Sequence, residues 1–323
     1  MRSYLAGRLA QALVIVALVA TITFVLIHLA PGNPFMTVYD NPNVDPAVRE
    51  RLEAAYGFDR PLIEQYMRYV AGVARGELGY SFSHHRPVVD VLAGAIPNTL
   101  LLMGVAVALS FFGGMALGVI QAVRRGSFAD RALGALSLFF LSMPDFWLAV
   151  MALLTFAYWI PIFPITGTLD PLTYDYMTPL ERVVDRAHHV ALPALTLALL
   201  DAAAIARHQR GAMLDTLHED FVRTARAKGV AERTVVLRHV LRNALLPMVT
   251  IFGLSFPALL GGAVFVEKVF AWPGFGLMTV TAIAARDYPL VTGSVIVGSV
   301  MACAGSLLAD VLYAAADPRV RAR

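Results

Sequence analysis

The sequence predicts an all-α membrane protein with six transmembrane helices, and three observations carry that fold class. Of 323 residues, 58% are hydrophobic and only 15% are charged. The apolar residues gather in runs of about twenty or more, the length at which a helix crosses a hydrocarbon core of roughly 30 Å. The cations are unevenly shared among the connecting segments, as the positive-inside rule requires of a multi-spanning chain.

The first span runs from Leu9 to Ala30, after Arg2 and Arg8. A cleaved signal would carry a shorter apolar region and a small-residue cleavage site before Pro31, so the stretch predicts a retained anchor. Residues 31–95 are too long for a simple connection and predict a small folded external piece, with helices at Val48 to Ala55 and Leu62 to Arg75. The second of these is apolar at Ile63, Met67, Val70, Ala71 and Ala74 and is bounded by glycine-rich turns. Its expected role is to cover the outer mouth or receive a partner, or else to form an interfacial cap on lipid headgroups. Five further spans follow at Ile96 to Val123, Leu133 to Ile160, Val190 to Ala206, Leu245 to Val266 and Leu290 to Ala316.

Six spans put both termini on one side. With the N-terminus in the cytoplasm, 16 of the 26 Lys and Arg fall in cytoplasmic segments, and 6 of the other 10 belong to the long piece 31–95, which the rule discounts. The only cysteine, Cys303, lies in an apolar run and cannot form an internal disulfide, so a packed thiol is expected.

Polar groups inside the spans are few. The fifth span carries Pro247, Gly253, Pro257, Gly261 and Gly262 with Thr250 and Ser255, and the third carries Ser142, Pro144, Asp145 and Trp147. Such segments bend and let neighbours approach, so Ser142, Asp145, Thr250 and Ser255 are candidates to line a pathway, with ordinary helix packing as the competing reading. Asp145 is nearest mid-span; Asp201 and Asp310 lie toward span ends, where pairing with arginines such as Arg207 is expected. These acids form no ladder with other acids or histidines, so a self-sufficient proton-driven carrier lacks support.

Catalytic patterns are missing as well. There is no GxxxxGK[ST] phosphate loop, HExxH helix, GxSxG elbow or Cys/His metal spacing, and the pairs His84-His85 and His188-His189 lack further local ligands. No catalytic residue and no metal site is therefore assigned, and no cofactor is expected on this chain.

The longest polar segment between apolar spans is Gly211 to Pro247. Leu214, Leu217, Phe221 and Ala225 recur at helical spacing, which predicts one amphipathic helix through them. Arg226 and Lys228 suit its negative end, and Gly229 suits a left-handed stop. A second helix is expected from about Glu232 to Asn243. Together they make a compact knob tied to membrane helices at both ends.

Within that segment, EDFVRTARAKG with Pro247 eighteen residues after its glycine resembles the EAA loop of ATP-binding-cassette importer permeases, in particular the dipeptide, oligopeptide and nickel branch. The resemblance extends through RLAQALVIVALVATITFVLIHLAPGNP, YGFDRPLIEQYMRYVAGVARGELGYSF, ALPALTLAL with ARHQRGAMLD, AVFVEKVFAWPGFGLMTVTAIAARDYPLV and DVLYAAADPRVR. The glutamate that opens the general motif is Arg223 here, and the distance to Leu246-Pro247 exceeds that of sugar permeases; both departures are similar to the peptide branch. The resemblance implies the type I importer fold, with residues 1–95 as anchor helix and external segment, 96–317 as permease domain containing the coupling loop 211–247, and 318–323 as a basic cytoplasmic tail. It implies that Phe221, Val222, Arg223, Thr224, Ala225, Arg226, Ala227, Lys228 and Gly229 form the contact with a cytoplasmic ATPase. An apolar ridge with a basic rim agrees with that role. The implied partners are a second homologous permease, two ATPases that bind the ATP and Mg, an extracytoplasmic solute-binding protein and the lipid of a bacterial inner membrane, with no nucleic acid. Peptides are the implied solute, with nickel, nickel chelates or oligosaccharides as the alternative.

Overall fold

The structure is a computed structural model, and it describes residues 2–29, 60–245, 247–249, 251–253, 255 and 263–316. In chain order come α1 (Arg2–Leu29), α2 (Leu62–Arg75), a hairpin of β1 (Tyr80–Ser81) and β2 (Arg86–Pro87), α3 (Val88–Val123), α4 (Phe128–Leu141) and α5 (Asp145–Leu153). These are followed by α6 (Pro179–Leu217), α7 (Asp220–Ala227), α8 (Glu232–Ala244), α9 (Pro247–Gly253), α10 (Val264–Val269), α11 (Phe275–Ala284) and α12 (Tyr288–Ala316). Helices α1, α3, α6 and α12 are each long and apolar enough to cross a membrane, and the bent pairs α4–α5 and α8–α9 raise the number to as many as six.

The third span, expected as one helix from Leu133 to Ile160, is a bent pair turning through 104°. Proline explains the break. Pro144 has no N–H to donate, disfavours helical backbone at Met143, and stands as the extended N-cap (φ −65°, ψ 136°) from which α5 restarts at Asp145. The expected helix Val48 to Ala55 and much of the fifth span lie outside the described residues, whereas Leu62 to Arg75 is helical over the range expected.

Two compact units divide the chain, Met1–Ile96 with Met278–Met301 and Pro97–Leu277 with Ala302–Arg323. In the first, α2 ends at Gly76, whose left-handed φ of 79° closes the helix onto Gly72 and Val73 carbonyls. The buried carboxylate of Asp287 fastens the hairpin region. It accepts from Ser81 Oγ at 2.5 Å, Ser83 N at 2.9 Å and Ser83 Oγ at 2.7 Å, while its other oxygen accepts from Leu290 N at 3.2 Å. Burial raises the Asp287 pKa, but these donors outweigh it and hold the carboxyl below its ordinary value.

In the second unit, α6 starts with a capping box: Thr178 Oγ1 accepts from Glu181 N, and Glu181 Oε2 accepts from Thr178 N at 2.7 Å. Helices α3 and α6 approach closely where α3 has no side chain. A Cβ on Gly114 would fall 2.8 Å from Ala202 O, and one on Gly118 would fall 2.6 Å from Ala206 O. This is the small-xxx-small device of membrane helix pairs. The loop after α10 wraps a fully buried Glu267, which accepts from Thr99 Oγ1 at 2.6 Å and Leu277 N at 2.8 Å. Gly274 and Gly276 leave room for that carboxylate, and Trp272, also fully buried, donates Nε1 to Asn98 O at 3.0 Å.

Candidate coupling site

The knob is built on the end of α6. Met213, Val222, Val235, Val240 and Ala244 are fully buried together with Ala122, Ala225 and Val236, so α7 and α8 share one small core with the ends of α3 and α6. Burial of this many aliphatic side chains, at about 1.5–3 kcal/mol for each large one, is ample to hold a helix as short as α7 in place. At its C-terminal end Gly229 adopts φ 75°, and its N–H bonds to Arg226 O at 2.9 Å, as the expected left-handed stop requires.

Two expectations about this segment need correction. The single helix through Leu214, Leu217, Phe221 and Ala225 is broken: α6 ends at Leu217, and Glu219 is the extended N-cap of a separate α7. Leu214 and Leu217 of α6 and Ala225 of α7 still pack on one core, so the periodicity runs through a break that it does not reveal. The apolar ridge is also not offered outward. Val222 and Ala225 are buried within this chain, and the exposed face of α7 consists of Asp220, Arg223, Thr224, Arg226, Ala227 and Lys228, with Phe221, 42% exposed, at its edge. Cations therefore dominate what a partner would meet, with one aromatic anchor beside them.

Arg226 has an internal partner. Its Nη2 donates to Glu232 Oε1 at 2.6 Å and its Nε to Glu232 Oε2 at 3.1 Å, a two-pronged bracket across the Gly229 turn. The cation stands at the C-terminal end of α7 and the anion in the first turn of α8, where each suits the local helix dipole. A second bracket, Arg210 Nε and Nη2 on the two oxygens of Asp130 at 2.9 Å each, joins α6 to the start of α4. Gly126 N adds a third donor to that carboxylate at 2.9 Å. Neither bracket is evident from spacing, although opposite charges flanking the Gly229 turn were a visible signal for the first.

Three of the four pathway candidates, Ser142, Asp145 and Ser255, fall among the described residues. Ser142 and Asp145 are exposed on either side of the α4–α5 break, with Ser142 Oγ returned to Leu138 O at 2.8 Å. Ser255 Oγ is likewise returned to its own helix, on Ile251 O at 3.1 Å, and Thr250 lies outside the described residues. Asp201 was expected to pair with an arginine such as Arg207; its charged neighbour is Asp145 instead. The two histidine pairs are engaged locally, His84 Nδ1 with Ser81 and Ser83 hydroxyls, His188 Nε2 with Ile162 O and His189 Nδ1 with Asp185. Among the described residues no three His, Cys, Asp or Glu are grouped to hold a metal ion.

Comparison with known proteins gives this arrangement a family. Residues 114–322 match the binding-protein-dependent transport system inner membrane component, and residues 1–103 match the N-terminal region of the same membrane components. The chain is 37% identical over 321 residues to the oligopeptide transport system permease protein AppB of Bacillus subtilis, covering 99% of both chains. It is 37% identical over 334 residues to the di/tripeptide transport system permease protein DppB of Pseudomonas aeruginosa and 36% identical over 321 residues to the glutathione transport system permease protein GsiC of Escherichia coli, again over 99% of each chain. By these matches the chain belongs to the binding-protein-dependent inner-membrane components, as a non-catalytic permease of the peptide and oligopeptide branch of ATP-binding-cassette importers.

Proposed function

We propose that this chain forms half of the translocation path for di- and oligopeptides, working by alternating access, with six spans and both termini in the cytoplasm of a bacterial inner membrane. A homologous permease supplies the other half. Two cytoplasmic ATPases, which carry the ATP and Mg, drive it, and an extracytoplasmic solute-binding protein delivers the peptide. The observation that carries the proposal is the construction of α7: an exposed, mainly cationic helix whose other side is fixed in the core at the end of α6. A helix held this way transmits a push without yielding, which suits rigid-body switching. In this reading Phe221, Arg223, Thr224, Ala227 and Lys228 meet the ATPase, Val222 and Ala225 hold α7 to the permease, and Arg226 with Gly229 sets the turn. Ser142, Asp145, Thr250 and Ser255 are proposed to face the pathway, Asp145 with Asp201 beside it. The solutes in the names of the three relatives are all peptides, which favours peptides over nickel or oligosaccharides.

Co-reconstitution with the cognate permease, ATPases and binding protein tests it. Peptide-loaded binding protein is expected to stimulate ATP hydrolysis, and nickel chelates are not. Gly229→Pro imposes φ near −65° where the backbone has +75° and removes an N–H that is bonded, so transport is lost while membrane insertion persists. Normal transport by that variant, or uphill transport by this chain without an ATPase, sinks the proposal. Arg226→Glu is expected to uncouple, and combining it with Glu232→Arg separates the internal bracket from a direct ATPase contact: recovery of coupling assigns Arg226 to the bracket.

A further inference from the structure

Behind α2 lies a cavity of about 410 Å³ formed by α1, α2, the hairpin region and the start of α12. Its wall is mostly apolar, with Phe24, Ile27, Val73, Leu78, Phe82 and Ile296 among the lining residues. The depth of this cavity follows from how α2 is held. Tyr66 Oη bonds to Thr21 Oγ1 at 2.8 Å, Tyr69 Oη donates to Ala20 O at 3.4 Å, and both rings pack on Phe24. Ala20 and Thr21 stand about 12–14 Å below the Leu29 end of the α1 span, at a rise of about 1.5 Å per residue. Helix α2 therefore lies alongside the span, inside its Leu29 end.

The other faces of α2 agree. Ile63, Met67 and Val70, at 73%, 64% and 39% exposure, form an apolar strip turned away from α1, while Arg60, Glu64 and Arg68 form a separate charged strip. A helix with one apolar and one charged flank is built to lie in a membrane interface.

We propose that the cavity holds one acyl chain of a zwitterionic glycerophospholipid, with its headgroup on Arg68 and Glu77. Water finds few polar partners on an apolar wall, and an empty space forfeits its dispersion contacts; at this depth an acyl chain is the medium that fills it. Of the polar lining groups, His28 and Gln65 are spent on each other at 3.1 Å and on the Phe24 and Arg60 carbonyls. Arg68 shares the single carboxylate of Glu64 with Arg60, so one carboxylate serves two guanidinium groups and leaves positive charge for a phosphate. Glu77 supplies the opposite charge for the ammonium. The site belongs to the leaflet at the Leu29 end of α1, which is the outer one in the orientation proposed above.

The test uses the full transporter in nanodiscs containing phosphatidylethanolamine with a photoactivatable acyl chain, and it needs neither transport nor ATP. Peptides bearing Val73, Phe82 and Ile296 are expected to be labelled at least fivefold more than the lipid-exposed Leu13 and Leu18 region of α1. Val73→Trp, which fills the cavity, is expected to bring Phe82 and Ile296 labelling down to that background. In native mass spectrometry, Arg68→Ala is expected to lower retained phosphatidylethanolamine about tenfold, and Glu77→Gln to abolish its advantage over phosphatidylglycerol. Labelling no higher than on the open face of α1, labelling indifferent to Val73→Trp, or displacement of the label by dipeptides or by inorganic phosphate would each overturn the proposal. Because transport is not read, these outcomes are independent of whether the peptide assignment stands.

Discussion

Replacing Gly118 with alanine separates two opposed effects on one helix. In a helix interior, alanine is favoured over glycine by about 0.8–1 kcal/mol, so a site with free space should gain. Gly113, in the same helix, is such a site: a Cβ there meets nothing within 4 Å. At Gly118 the same atom would stand 2.6 Å from Ala206 O, 2.7 Å from Gln209 Cβ and 3.0 Å from Arg210 N. Two of these are backbone atoms, which cannot rotate away, so α3 and α6 must part. Overpacking of this kind costs about 1–3 kcal/mol, which leaves Gly118→Ala roughly 0–2 kcal/mol less stable than the parent after the propensity gain and about 1–3 kcal/mol less stable than Gly113→Ala. A melting point roughly 2–12 °C below that of Gly113→Ala is expected, at about 2–4 °C per kcal/mol in large chains. Melting of the detergent-solubilised protein, with Gly113→Ala neutral or higher beside it, is the assay. Equal melting points for the two variants would refute the claim that backbone contact at Gly118 limits the approach of α3 and α6.

Glu267→Gln keeps the shape of the buried side chain but presents an amide N–H to donors from Thr99 or Leu277; a loss of about 1–3 kcal/mol is expected in the same melting assay. The Asp287 pKa lies below its ordinary value, so its contribution is complete above the ordinary carboxylate range near 3.9 and is lost only as pH falls through the lower folded value. Proteolysis at the hairpin should therefore be flat from pH 7 to about 4 in the parent and rise below that, while Asp287→Asn is susceptible throughout. Ala271 holds φ 48° after α10, and Ala271→Gly should relieve that conformation and raise stability by up to about 1 kcal/mol.

Much of the architecture could be read from residue order alone. The apolar runs are long enough that their helices were unavoidable, and Gly229 was legible because only a residue free of Cβ strain closes a helix at positive φ without cost. What escaped was set by contacts between distant segments. The period through Leu214 to Ala225 survives the break at Glu219, because both helices face one core. Pro144 announced an interruption, but the 104° turn depends on what α5 packs against. The close approach of α3 and α6 at Gly114 and Gly118 and the bracket Arg210–Asp130 became visible only when segments far apart in the chain were placed side by side, whereas the charges of Arg226 and Glu232 already flank the Gly229 turn in the sequence.

Helix α6 has 39 residues, about 58 Å of helix at 1.5 Å per residue, with Pro193 inside its longer arm. Its tightest crossing with α3, at Ala206 to Gln209, divides it into arms of roughly 15 Å toward α7 and 42 Å toward Thr178. A rod pivoting there works as an unequal beam: a sideways step of 1 Å at the knob becomes nearly threefold larger at the far end. In the function proposed above, small strokes by a motor at one membrane face would then open or close a passage at the other, with the missing side chain of Gly118 as the fulcrum.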